Sequence, residues 1–112
     1  MDMSSRTQGE LQIVTINAQR IDAAVAIQFK DGMRAETEGP ARRVILDLSQ
    51  VDFIDSSGLG AIVAAMKQLG PGRKLDLAGL TTTVESVFRL TRMDTVFALF
   101  PTLDAALMAQ AS

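Results

Sequence analysis

Six residues in the middle of this chain, Asp55-Ser56-Ser57-Gly58-Leu59-Gly60, gather the side chains with the clearest chemistry. A carboxylate beside two hydroxyls, ahead of an apolar helical repeat, offers oxygens to the unpaired N–H groups of a helix's first turn. The same place suits an added phosphate, because the helix dipole and free N–H groups stabilise an anion. Two readings stand side by side: a structural cap, or a serine presented for modification. The two glycines each lower helix propensity by roughly 1 kcal/mol. They make room for a closely approaching backbone, either of a packed neighbour or of a partner.

What the chain lacks narrows the chemistry. Its 112 residues include no Cys and no His. No disulfide, thiol nucleophile, Ser-His-Asp triad or ordinary zinc site can be assembled from it. Gly58 and Gly60 are not followed by the third glycine of a dinucleotide fingerprint, since Val63 stands there. A nucleotide loop ending in Gly-Lys-Ser/Thr is missing too. Asp47, Asp52 and Asp55 could form the acidic cluster of a phospho-receiver or a magnesium site. A receiver also needs an acidic pair after the first strand, where only Asn17 and the more distant Asp22 stand. Asp47 and Asp52 read instead as turn and cap residues. An enzyme is not expected, and neither is a cofactor.

Charge and composition set the remaining bounds. A net charge of −2, scattered cations and five Phe without Trp or Tyr argue against direct nucleic-acid binding. The longest nearly uncharged stretch, Ser56 to Met66, is too short to span a bilayer as a helix. No signal peptide marks the N-terminus, so a cytoplasmic protein without membrane insertion is expected. Apolar residues make up 47% and run along the whole length, which predicts one domain over residues 1–112.

The elements that must position the six residues follow from periodicity and punctuation. Residues 1–8 are polar and read as a loose lead-in or a short edge strand. Leu11 to Ile16 is β-branched and partly alternating, a strand. Ala23 to about Glu38 reads as a helix with Ala26, Phe29 and Met33 on one face, ended by Gly39-Pro40. Arg43 to Leu48 is an apolar run typical of a buried parallel strand. A second helix is predicted from about Ser57 to Leu69, with Leu59, Ile62, Val63 and Met66 as its buried stripe. Lys74 to Ala78 is the next strand. Thr82 or Thr83 caps a third helix through about Leu90, Val96 to Phe100 is the last strand, and Pro101-Thr102 opens a final helix. Strand and helix alternate throughout, which implies a largely parallel sheet with helices packed on it.

The run from Val44 to Ala61, Val-Ile-Leu-Asp-Leu-Ser-Gln-Val-Asp-Phe-Ile-Asp-Ser-Ser-Gly-Leu-Gly-Ala, closely resembles the signature of the STAS domain. That domain is shared by bacterial anti-sigma factor antagonists and the cytoplasmic tails of sulfate transporters. The likeness extends further. Ile21-Asp22-Ala23-Ala24 looks like the family's Leu-Asp opening of the first helix, Val84 to Phe97 resembles a later segment, and Asp104 to Leu107 matches the last helix. The resemblance implies a small STAS-type α/β sandwich: a mixed, mostly parallel sheet of four or five strands with about four helices.

It also implies a switch. In the antagonists, the serine after the motif aspartate, here Ser56, is phosphorylated by a partner anti-sigma factor that is itself a serine kinase. The unmodified form binds that kinase and frees a sigma factor. A metal-dependent serine/threonine phosphatase resets the protein. Asp22, Asp55, Ser57, Gly58, Leu59, Ile62 and Val87 fall at positions the resemblance assigns to partner binding. Self-association stays open, as does a second role as a non-phosphorylated subunit of a lipid-transport ABC complex. The chain departs from the family pattern at two places. A glycine is common just before the Leu-Asp pair, whereas here the run is Ala18-Gln19-Arg20-Ile21, and the usual Thr-Gly-Leu is Thr91-Arg92-Met93.

Overall fold

Val44, Ile45 and Leu46 are all fully enclosed, as a strand covered on both faces requires. In the computed structural model, which describes residues 1–109, they form the middle of a five-stranded sheet. Its strands are β1 (Met3–Gln8), β2 (Leu11–Ile16), β4 (Arg43–Asp47), β6 (Lys74–Ala78) and β7 (Leu99–Phe100), side by side in that order. Gly9, with a left-handed φ of +60°, makes the tight turn that folds β1 back antiparallel onto β2. The other three pairings are parallel. Residues 3–8 are therefore an edge strand.

Helices α1 (Ala26–Glu36), α2 (Ser56–Leu69) and α3 (Thr82–Leu90) cover one face. Phe29, Met33, Ile62 and Phe88 press there on Val14, Val44, Leu46 and Leu77. Phe88 meets Phe97 edge to face at 6.0 Å. The other face is covered by the short α4 (Leu103–Met108), whose Ala106 packs on Ile13, Ile45 and Ala78. Beside α4, Arg43 and Asp76 form a buried ion pair at 2.8 Å across β4 and β6. A mixed, mostly parallel sheet of five strands with four α-helices agrees with the fold expected from the sequence.

Several boundaries shift, each for a local reason. Helix α1 begins at Ala26, three residues later than expected. The backbone at Asp22–Val25 turns on itself instead: Val25 N–H donates to the Asp22 carbonyl and Ala24 N–H to its carboxylate. The helix stops at Glu36, where the buried Thr37 hydroxyl donates to the Met33 carbonyl. The cap of α3 is Thr81, not Thr82 or Thr83, with its oxygen accepting from Val84 N–H at 3.3 Å. Strand β4 ends at Asp47, whose carboxylate accepts from Ser49 N–H in the turn that follows. The last strand is only Leu99–Phe100, because the N–H groups of Val96 and Phe97 both donate to the Met93 carbonyl and so belong to the end of a 3₁₀ turn over Met93–Thr95, entered through Arg92 at φ +62°.

Candidate functional site

β2 and β4 are parallel neighbours, so the chain leaves both at the same end of the sheet. The two departing loops meet again as a ribbon of two residues each that sequence patterning missed: β3 (Arg20–Ile21) beside β5 (Phe53–Ile54), Arg20 opposite Phe53 and Ile21 opposite Ile54. Two residues are too short for a period-2 signal. The only hint is an inward Ile after an outward residue in each segment. Ile21 and Ile54 are buried, while Arg20 and Phe53 face out. The carbonyl of Gln19 accepts from the N–H groups of both Asp52 and Phe53, which fastens the ribbon.

Asp55 then joins the two loops through its side chain. One carboxylate oxygen accepts from Gly58 N–H at 2.8 Å and caps α2; the other accepts from Ala23 N–H at 3.1 Å, in the loop before α1. The bond from Gly58 is the main cause that holds the Asp55 carboxyl below its ordinary value of 3.8. Position 58 has no room for a side chain: the Ile21 carbonyl and side chain fill that space. One of the two glycines is thus explained by packing. Around Gly60 nothing lies within 4 Å of where a Cβ would stand.

Ser56 and Ser57 are the first two residues of α2, and both are exposed. Asp22 is half-buried, with one oxygen on Ala24 N–H and the other on the Arg20 guanidinium at 3.2 Å. Leu59 and Val87 are half-buried. Helix α3 reaches this end because β6 is also parallel, and its Thr81 hydroxyl donates to the Val51 carbonyl beside the ribbon. Two residues named for partner binding present no surface: Gly58 is closed off by Ile21, and Ile62 is wholly in the core. The other five, Asp22, Asp55, Ser57, Leu59 and Val87, all reach solvent.

A hollow of about 500 Å³ lies near the β1–β2 turn, between Glu10, Leu11, Arg42, Arg43 and Lys74, and Ser56 is not among the residues that line it. Among the described residues, no three acidic side chains converge as a metal site would need. None of the described helices is long and apolar enough to cross a membrane.

The sequence profile of the STAS domain matches residues 2–106. The chain belongs to the STAS domain family. Among its relatives is BtrV of Bordetella bronchiseptica, named as an anti-sigma factor antagonist, which is 31% identical over 90 residues, 80% of this chain and 78% of that one. The crystal structure of an anti-sigma factor antagonist from Mycobacterium paratuberculosis superposes with a TM-score of 0.84, at 25% identity over 95% of this chain and 90% of the other. The Bacillus cell-fate determinant SpoIIAA in its phosphorylated form shares the fold at a TM-score of 0.67, with 17% identity over 95% of this chain and 96% of that one. In this STAS domain the motif Asp55-Ser56-Ser57-Gly58 is the start of α2, and the Leu-Asp counterpart Ile21-Asp22 lies directly against it.

Proposed function

We propose that this STAS domain is an anti-sigma factor antagonist, a cytoplasmic binding protein rather than an enzyme, switched by phosphate on Ser56. Unmodified, it binds an anti-sigma factor of the serine-kinase type. That kinase phosphorylates Ser56 and thereby releases it, and a metal-dependent serine/threonine phosphatase restores the binding form.

The observation that carries this reading is the exposure of Ser56 at the first turn of α2, with Asp55, not Ser56, serving as the cap. Freed from capping, the hydroxyl is available to a kinase. BtrV carries the antagonist name at 31% identity, and the fold exists in a phosphorylated form in SpoIIAA.

The geometry explains why one phosphate suffices. A phosphoserine adds about −1.5 to −2 charges. The helix dipole and the first N–H groups of α2 accommodate them without unfolding the domain. Asp55 and Asp22 already make this surface anionic, so the patch becomes strongly negative. A partner packed on Leu59 and Val87 would then bury a bulky charge. A loss of about 3–4 kcal/mol there weakens binding several-hundred-fold.

The test mixes the protein with each serine-kinase anti-sigma factor of its genome and ATP, and locates the phosphate by mass spectrometry. Phosphate on Ser56 and tight binding by the unmodified protein are expected. Equal binding by wild type and Ser56→Asp would sink the switch.

A further inference from the structure

Arg20 is the only Lys or Arg in the segments that build this site: neither residues 17–29 nor residues 48–66 contain another. Three carboxylates, Asp22, Asp52 and Asp55, share those segments. The side chain is also ordered in an unusual way for an exposed arginine. Its guanidinium lies over the Phe53 ring, 4.2 Å from the centroid, and its Nε donates to Asp22 at 3.2 Å. Stacking from below and a carboxylate at one edge fix the plane of the fork. Yet the side chain remains 60% exposed, and the two terminal nitrogens make no hydrogen bond among the described residues.

Register places this group beside the phosphorylatable turn. Arg20 pairs with Phe53, three residues before Ser56, and its neighbour Ile21 supplies the carbonyl that packs on Gly58. Phe53 is itself 38% exposed, a large apolar ring kept partly in water. An ordered fork with free donors above a part-exposed ring is what a desolvated carboxylate contact uses.

We propose that Arg20 is a partner-selectivity residue: its stacked fork receives an aspartate or glutamate of the serine-kinase anti-sigma factor. This rests on the function proposed above. Asp52 and Asp55, in the same segments, repel a partner carboxylate, so Arg20, which has donors left over beyond its bond to Asp22, is where such a group can sit. Phosphate on Ser56 sets a dianion against that same incoming carboxylate. The contact that selects the partner is thus weakened by the modification that releases it.

Binding of the purified kinases to wild type, Arg20→Met, Arg20→Lys and Arg20→Glu, by calorimetry at low and high salt, tests this. Circular dichroism and thermal melts establish that each variant is folded. Arg20→Met keeps a long apolar side chain on Phe53 and removes the charge. It is expected to bind about tenfold or more weakly, with Arg20→Glu weaker still and Arg20→Lys between. The deficits should shrink as salt rises. Two results overturn the inference: Arg20→Met and Arg20→Glu binding as wild type does, or a loss that salt leaves unchanged, which would mean lost packing. Wild type binding none of the kinases would instead defeat the functional reading, and this inference with it.

Discussion

The carbonyl oxygen of Ile21 occupies the space that a side chain at position 58 would need. This contact packs the β3 loop against the first turn of α2. Gly58→Ala must push that loop away, and overpacking against backbone destabilises by about 1–3 kcal/mol. Gly60→Ala meets open space inside the helix and should stabilise by up to about 1 kcal/mol. Urea unfolding of the two variants tests the contrast. Similar destabilisation by both would contradict it.

Asp55 makes acid sensitivity local. Its carboxylate, bonded to Gly58 and Ala23, binds a proton less readily folded than unfolded. The stability it contributes is therefore fully present above the ordinary value of 3.8 and is lost as pH falls through the lower folded value. Wild type should exceed Asp55→Asn in stability at about pH 6, and the gap should narrow by about pH 3. A gap that does not change with pH would count against the assignment.

Ser56 and Ser57 are adjacent and both exposed, so exposure does not choose between them. Only Ser56 follows the capping aspartate directly. With kinase and ATP, Ser57→Ala should still be labelled and Ser56→Ala should not. The reverse result, read by phosphopeptide mapping, would move the site by one residue.

The ion pair beside α4 gives a prediction far from Ser56. Asp76 is 1% exposed, and its bond to Arg43 is buried. Asp76→Ala leaves a buried guanidinium unpaired, a loss of about 3–5 kcal/mol. Replacing both partners, Arg43→Met with Asp76→Val, should recover most of that loss. Chemical denaturation measures both. Equal losses in the single and double variants would show that the charge pair is not the cause.

Most of the layer plan was legible from composition and period. The β-branched run at Leu11–Ile16 and the apolar run at Val44–Leu46 each carry a local pattern that burial then obeys. On α2 only Ile62 of the expected stripe Leu59, Ile62, Val63 and Met66 is buried; Gly58, Ala61, Ala65 and Leu69 complete the inner face, because close packing at Gly58 turns the small residues inward. The motif at Asp55–Gly60 was also legible, because capping residues act on their own helix turn. The boundaries were not legible, because single local hydrogen bonds at Thr37, Asp47 and Thr81 set them. At the start of α1 a distant group adds to the local Asp22 turn: Asp55 takes the N–H of Ala23 across the fold, and the helix opens beyond it, at Ala26.

By itself the sequence determined the alternation of strands and helices, the family resemblance and the absence of thiol and imidazole chemistry. These depend on residue type and short spacing. Only the tertiary structure decided that Gly58 is a packing requirement while Gly60 is not, that Ile62 belongs wholly to the core, and that Arg20 lies on Phe53. Each is a contact between segments separated by more than thirty residues or a question of which side of a helix is covered. Parallel pairing of β2 with β4 brings those segments together, and no local pattern encodes the result.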